Sequence, residues 1–199
     1  MLSTILALLV MLNPFALFLY QLDIIRELSK KDFAKLFYKA SATAFFLLGI
    51  FLMAGNMIFQ DVFQVPVGTF RIFGGVIVLS YSIIFLMSAE KTLIKVRKTM
   101  DDTAAEIAMP FMIGAGTISV IILVNHEYSI YKGLIILMAA LILNFLIVLS
   151  LVLIRDFINK KINRVAFDKI MQLCLHLNGF FIGAIGIDII RQGLFNLYG

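Results

Sequence analysis

The sequence predicts an all-α integral membrane protein with six transmembrane helices, arranged as two inverted three-helix repeats with spans 1 and 4 interrupted. Three observations carry that prediction. The 199 residues are 62% hydrophobic and only 15% charged, with a mean hydropathy of +1.03. A soluble domain keeps a polar shell and a charged fraction nearer to about a quarter. The apolar residues fall into six long blocks, and the basic residues alternate between the gaps.

The charge-free runs are Met1–Leu22, Ala40–Gln60, Ile72–Ala89, Ile107–Asn125 and Gly133–Ile154, and a sixth, Ile170–Ile187, holds only His176. Each has about 18 residues or more, what a helix needs to cross ~30 Å of hydrocarbon. Six spans with short connections use nearly the whole chain, which predicts one membrane domain over 1–199. Repeat one covers about 1–89, a connector about 90–106, and repeat two about 107–199. The first run lacks a basic leader and a small-residue cleavage pattern, and has Asn13-Pro14 in its middle. It is expected to be retained rather than removed as a signal peptide.

Orientation follows from Lys and Arg. The first gap carries Arg26, Lys30, Lys31, Lys35 and Lys39; the third Lys91, Lys95, Arg97 and Lys98; the fifth Arg155, Lys160, Lys161, Arg164 and Lys169. These are 14 of the 17 basic residues, whereas the fourth gap has only Lys132 and the second none. Odd gaps are therefore predicted to be cytoplasmic, with both chain ends extracytoplasmic in the cell (inner) membrane. On this reading the net charge of +5 is topogenic. It needs the lipid bilayer as partner and no nucleic acid.

Three spans per half put the second half in the opposite orientation, the plan of an inverted repeat. Pro14-Phe15 in span 1 is echoed by Pro110-Phe111 at the start of span 4, and Arg71-Ile72-Phe73-Gly74 in span 3 by His176-Leu177-Asn178-Gly179 in span 6. Asn13-Pro14 interrupts the first span, because proline lacks the donor for an intrahelical bond. Gly114-Ala115-Gly116-Thr117 lowers the cost of unwinding the fourth. Freed backbone in hydrocarbon is tolerated only where it faces protein, water or a ligand. Paired breaks in two halves are the best sequence pointer to a substrate site. A packing kink at Pro14 and close helix contact at Gly114 and Gly116 are the alternatives.

Other polar residues are fewer. Asp188, with Arg191 three positions on, and His176 are candidates for ion or proton coupling. An i,i+3 ion pair and a hydrogen-bonded packing histidine are the competing readings. Arg71 is expected to snorkel outward or to reach a carboxylate such as Asp61. Asn56 and Asn144 are expected to form interhelical hydrogen bonds. The single cysteine, Cys174, supports neither a disulfide nor a metal site. No HExxH, GxSxG or phosphate-binding loop is present, so no enzyme, cofactor or metal is expected.

These residues also carry a family resemblance over nearly the whole chain. Asn13-Pro14-Phe15, Ser29-Lys30-Lys31-Asp32, Phe70-Arg71-Ile72-Phe73-Gly74-Gly75, the stretch Met109-Pro110-Phe111-Met112-Ile113-Gly114-Ala115-Gly116-Thr117-Ile118, and Gly179 and Gly193 follow in order. Together they resemble the MarC family of six-span membrane proteins, which includes the SnatA-type transporters of small neutral amino acids. The resemblance implies two facing discontinuous helices that hold a small zwitterion between them; the coupling ion, H⁺ or Na⁺, is not fixed by the sequence. Asn13, Pro14, Gly114, Ala115, Gly116, Thr117 and Ser119 are then the substrate-binding candidates. Half-helix N-termini suit a carboxylate and free carbonyls an ammonium. The chain departs from the family pattern in having Phe15-Ala16-Leu17 after the first break and Gly114-Ala115-Gly116 in place of Gly-Pro-Gly. It also has His176 and Asp188 where arginine and glutamine are usual. The leading expectation is a secondary transporter of a glycine- or alanine-like solute. An exporter of another small metabolite and a transport-inactive scaffold are the alternatives.

Overall fold

A computed structural model describes residues 1–57, 64–87, 99–108, 112–158 and 161–198. All the secondary structure among them is helical. The helices are α1 Leu2–Leu12, α2 Pro14–Tyr20, α3 Leu22–Glu27, α4 Lys30–Asn56, α5 Val67–Met87, α6 Met100–Ile107, α7 Ala115–Glu127, α8 Ile130–Phe157 and α9 Lys161–Tyr198. Among the described residues, four stretches are long and apolar enough to cross a membrane: Leu2–Tyr20, Lys30–Gly55, Ile130–Phe157 and Arg164–Tyr198. The apolar part of α5, Gly68–Ile84, is shorter, and α7 has 13 residues. The stretch from Met100 to Glu106, expected as connector, is helical. Pro110-Phe111, the expected echo of Pro14-Phe15, lies outside the described residues.

The break between α1 and α2 follows from two adjacent residues. Pro14 has no N–H for the Val10 carbonyl, and its fixed φ suits the first position of a new helix. Asn13 supplies the bend, at φ 49° and ψ 72°, a left-handed conformation that asparagine tolerates better than most residues. It caps both sides. Its N–H donates to Leu9 O at 3.2 Å, and its Oδ1 accepts from the Ala16 N–H at 3.1 Å. The orphaned Val10 carbonyl is taken by Asn178 Nδ2 of α9 at 3.0 Å.

Two matching turns launch the long helices. Leu28 and Ser29 are extended at ψ 151° and 153°, and Tyr128 and Ser129 at ψ 152° and 153°. They sit 100 residues apart and lead into helices of 27 and 28 residues. Helices α4 and α8 run antiparallel. Phe37 stacks on Phe145 at 5.7 Å near one end, and Leu52 packs on Gly133 near the other. The buried face of α4 (Phe33, Phe37, Ala40, Ala44, Leu48) keeps the three- and four-residue spacing of an amphipathic helix. Its opposite face is also apolar and bare, with Phe46, Ile50 and Met53 exposed. That pattern is the one a lipid-facing surface requires.

Helices α5 and α9 are joined through small residues. A Cβ at Gly68 would stand 3.0 Å from Gly193 O, and one at Gly75 only 2.7 Å from Gly186 O. Ser82 Oγ donates to Gly179 O at 2.8 Å. Each rung moves seven residues up α5 and seven down α9, so the contact is an antiparallel glycine seam with the backbones in direct touch. This explains Gly68, Gly75, Gly186 and Gly193 as packing residues.

Candidate functional site

The α1–α2 break, the start of α7 and one face of α5 enclose a cavity of about 170 Å³. It is lined by Met11, Leu12, Asn13, Ala16, Leu17 and Tyr20 from the first break, and by Gly114, Gly116 and Thr117 from the second. Val78, Tyr81 and Ile84 of α5 and Ile182 of α9 complete it. At roughly 10–15 Å³ of such space per water, it has room for about a dozen waters or a solute of a few heavy atoms. The walls are mostly apolar with a few polar groups, the composition of a small-molecule site.

Asn13 is the key polar group. It is buried, its Oδ1 is committed to the Ala16 N–H, and its Nδ2 has no hydrogen-bond partner among the described residues. A buried donor left unpaired costs roughly 1–3 kcal/mol, and native structures pair such groups with ligand or water where protein is missing. Across the cavity, Gly114 is extended at φ −87° and ψ 164° and starts α7 without a side-chain cap. The first N–H groups of a helix are orphaned and its N-terminus carries partial positive charge. Asn13 and the first residues of α7 thus line one small volume, and an amide and a helix N-terminus are groups that suit a carboxylate.

The second break is differently placed from the expected one. Residues Ala115-Gly116-Thr117 are not unwound; they form the first turn of α7, and the irregular stretch precedes Gly114. Two interactions fix this. Ile113 N–H reaches five residues back to Ala108 O at 2.9 Å, a wide turn. Thr117 Oγ1 lies 2.8 Å from Gly114 O and 3.0 Å from Met112 O, so its hydroxyl is turned back onto the carbonyls of the break. Thr117 lines the cavity with the hydroxyl already engaged. Gly116 also lines it, and there a Cβ would meet nothing nearer than Val78 Cγ2 at 3.5 Å. Close packing therefore does not require glycine at 116, in contrast to the α5–α9 seam. Ser119 is buried against Gly74 of α5, away from the cavity lining. The Ala115 side chain lies outside the described residues.

Neither candidate coupling residue touches the cavity. His176 Nδ1 lies 2.7 Å from Gln172 O, one turn back on α9. Asp188 accepts from Arg191 Nη2 at 2.8 Å and from Gln192 Nε2 at 2.7 Å. Gln192 Oε1 in turn accepts from Arg71 Nη1 at 2.7 Å, and Arg71 Nη2 lies 3.4 Å from Glu127. This chain ties α7, α5 and α9 together, and it is what Arg71 reaches; Asp61 lies outside the described residues. Asn144 departs from expectation. It is fully buried at the centre of α8, and neither amide atom finds an interhelical partner among the described residues. Gln21, at the α2–α3 junction, is buried with both side-chain amide atoms unpaired as well. The Asn56 side chain lies outside the described residues. No cluster of three or more His, Cys, Asp or Glu suited to a metal occurs among the described residues.

Sequence reading pointed to Asn13 and Gly116 through the helix breaks. It missed Tyr20 and Tyr81, whose only signal was position near a break or on a neighbouring span, and it missed the bond from Asn178.

Comparison with known proteins agrees with the helical, apolar architecture. The chain is 24% identical over 200 residues to a UPF0056 membrane protein of Aquifex aeolicus, covering 96% of this chain and 91% of that protein. It is 25% identical over 193 residues to a UPF0056 membrane protein of Pyrococcus horikoshii, covering 96% and 92%. No solved structure matches. Residues 1–198 match the MarC family of integral membrane proteins, and with nearly the whole length accounted for, the chain belongs to that family.

Proposed function

We propose that this protein is a secondary transporter of a small neutral solute that carries a carboxylate, of the size of glycine or alanine, and not an enzyme. The observation that carries the reading is that buried Asn13, whose Nδ2 has no partner among the described residues, lines the same 170 Å³ cavity as the first residues of α7. On this reading the six apolar runs are six spans in the cell (inner) membrane, with both chain ends extracytoplasmic. The two halves are inverted repeats that rock about the cavity. The paired turns at Ser29 and Ser129, and a glycine seam symmetric about Gly75 and Gly186, support that arrangement.

Uptake of labelled glycine or alanine into proteoliposomes, with and without a proton or sodium gradient, tests the proposal. Gradient-stimulated accumulation is expected. Folded protein that moves no small amino acid under either gradient would remove the substrate assignment. Single cysteines in a Cys174→Ser background test the orientation. Position 132 is expected to label from outside and position 169 from inside.

A further inference from the structure

At the α3–α4 turn, the end of α8 and the start of α9 close around a second basin of about 360 Å³. Its polar lining is Ser29, Arg26, Lys30, Arg155, Arg164 and Asp156. Asp156 sits between Lys30 at 2.6 Å and Arg164 at 3.9 Å. Arg155 is held by Asp168 through two bonds of 2.9 and 3.2 Å. Arg26 has a single 3.4 Å contact with Asp23 and is well exposed. Among the described residues, the four cations of the lining thus meet Asp156 and two carboxylates outside it, Asp23 and Asp168, and one positive charge is left over. That balance fits one monoanion.

The surroundings of the basin narrow its chemistry. Phe33 and Val152 give it an apolar wall. On α8, about 100° round from the lining residues, Leu153 and Phe157 are bare, Phe157 to 89%. A ligand here meets a cationic basin joined to an outward apolar face. We propose that the basin binds the phosphate group of an anionic phospholipid, with the acyl chains lying along Leu153 and Phe157. Basic pockets between helices at the membrane surface recognise lipid headgroups by this combination. The shared chemistry is a phosphate anion, and inorganic phosphate is the other source.

The test is thermal unfolding of the delipidated full chain in detergent, with phosphatidylglycerol, phosphatidylcholine or inorganic phosphate added. Phosphatidylglycerol is expected to raise Tm by about 3–5 °C at tenfold excess over its Kd, and phosphatidylcholine by much less. Arg26→Gln and Lys30→Gln should each at least halve the phosphatidylglycerol shift. Arg26 is the safer variant, since its exposed side chain holds no helix in place. A shift of equal size with inorganic phosphate would keep the anion site and assign free phosphate as its occupant. If phosphatidylglycerol and phosphate do no more than phosphatidylcholine, or if both variants keep the full shift, the proposal is overturned.

Discussion

Asn178 of α9 donates its amide to the Val10 carbonyl, the acceptor that Pro14 leaves without an intrahelical partner. The first break is therefore held open from another helix, and the α9 side chain that does so is buried. Asn178→Ala should destabilise the fold by about 1–3 kcal/mol, the cost of an unpaired buried polar group. The cost should shrink in a Pro14→Ala background, where residue 14 regains an N–H for Val10. Thermal unfolding of the two single variants and the double variant measures this coupling, expected at roughly 0.5–3 kcal/mol. Strict additivity would mean that Asn178 acts elsewhere.

Asn13 has two separable roles. Its Oδ1 caps α2, while its Nδ2 is unpaired among the described residues at the cavity wall. Asn13→Asp keeps the cap and the tolerance for φ 49°, but exchanges the donor for a carboxylate. It should lower Tm, because burying a carboxylate is costly, and lose binding of a carboxylate-bearing solute by tenfold or more. Asn13→Ala loses the cap, about 1 kcal/mol, and adds roughly 1–2 kcal/mol of left-handed strain. Equilibrium binding of labelled alanine beside Tm separates the two. Undiminished binding by Asn13→Asp would remove the donor from the site.

Glycines fall into two classes that substitution distinguishes. Gly116→Ala meets only ordinary contacts and should fold and transport nearly as the parent does. Gly116→Leu projects into the cavity and should abolish flux while the protein stays folded. Gly75→Ala drives its methyl against the Gly186 carbonyl and should lower stability by about 1–3 kcal/mol by overpacking. Size-exclusion profiles and unfolding curves beside uptake rates check all three. A folding defect in Gly116→Ala would place that glycine with the packing class.

The helices and their apolar faces were legible because hydrocarbon imposes length and composition on any span. Pro14 announced the first break by a local rule that needs no tertiary contact. The second break was displaced, because the sequence shows two glycines but not the Thr117 hydroxyl that settles the first turn of α7 on its own carbonyls. The Asn178–Val10 bond was not legible, since 168 residues separate its partners and nothing local marks Asn178 as different from a packing asparagine. The seven-residue spacing of Gly68, Gly75 and Ser82 and of Gly179, Gly186 and Gly193 was in the sequence. Only the antiparallel register of α5 and α9 turned it into a seam.

Asn144 supplies the sharpest separation of stability from function. Both of its amide atoms are buried and unpaired at the middle of α8, where neither bulk water nor another side chain reaches them. Leucine has nearly the same shape, and replacing an unsatisfied buried amide with it removes a desolvation penalty of roughly 1–3 kcal/mol. Asn144→Leu is therefore expected to raise Tm by a few degrees. If the protein transports by movement of its two halves, as proposed, the Asn144 amide can pair with water or solute in another state. Uptake by the stabilised variant should then fall severalfold. If Tm rises and uptake is unchanged, the amide has no part in transport. A fall in Tm would mean that water or a ligand already satisfies Asn144 in the folded protein.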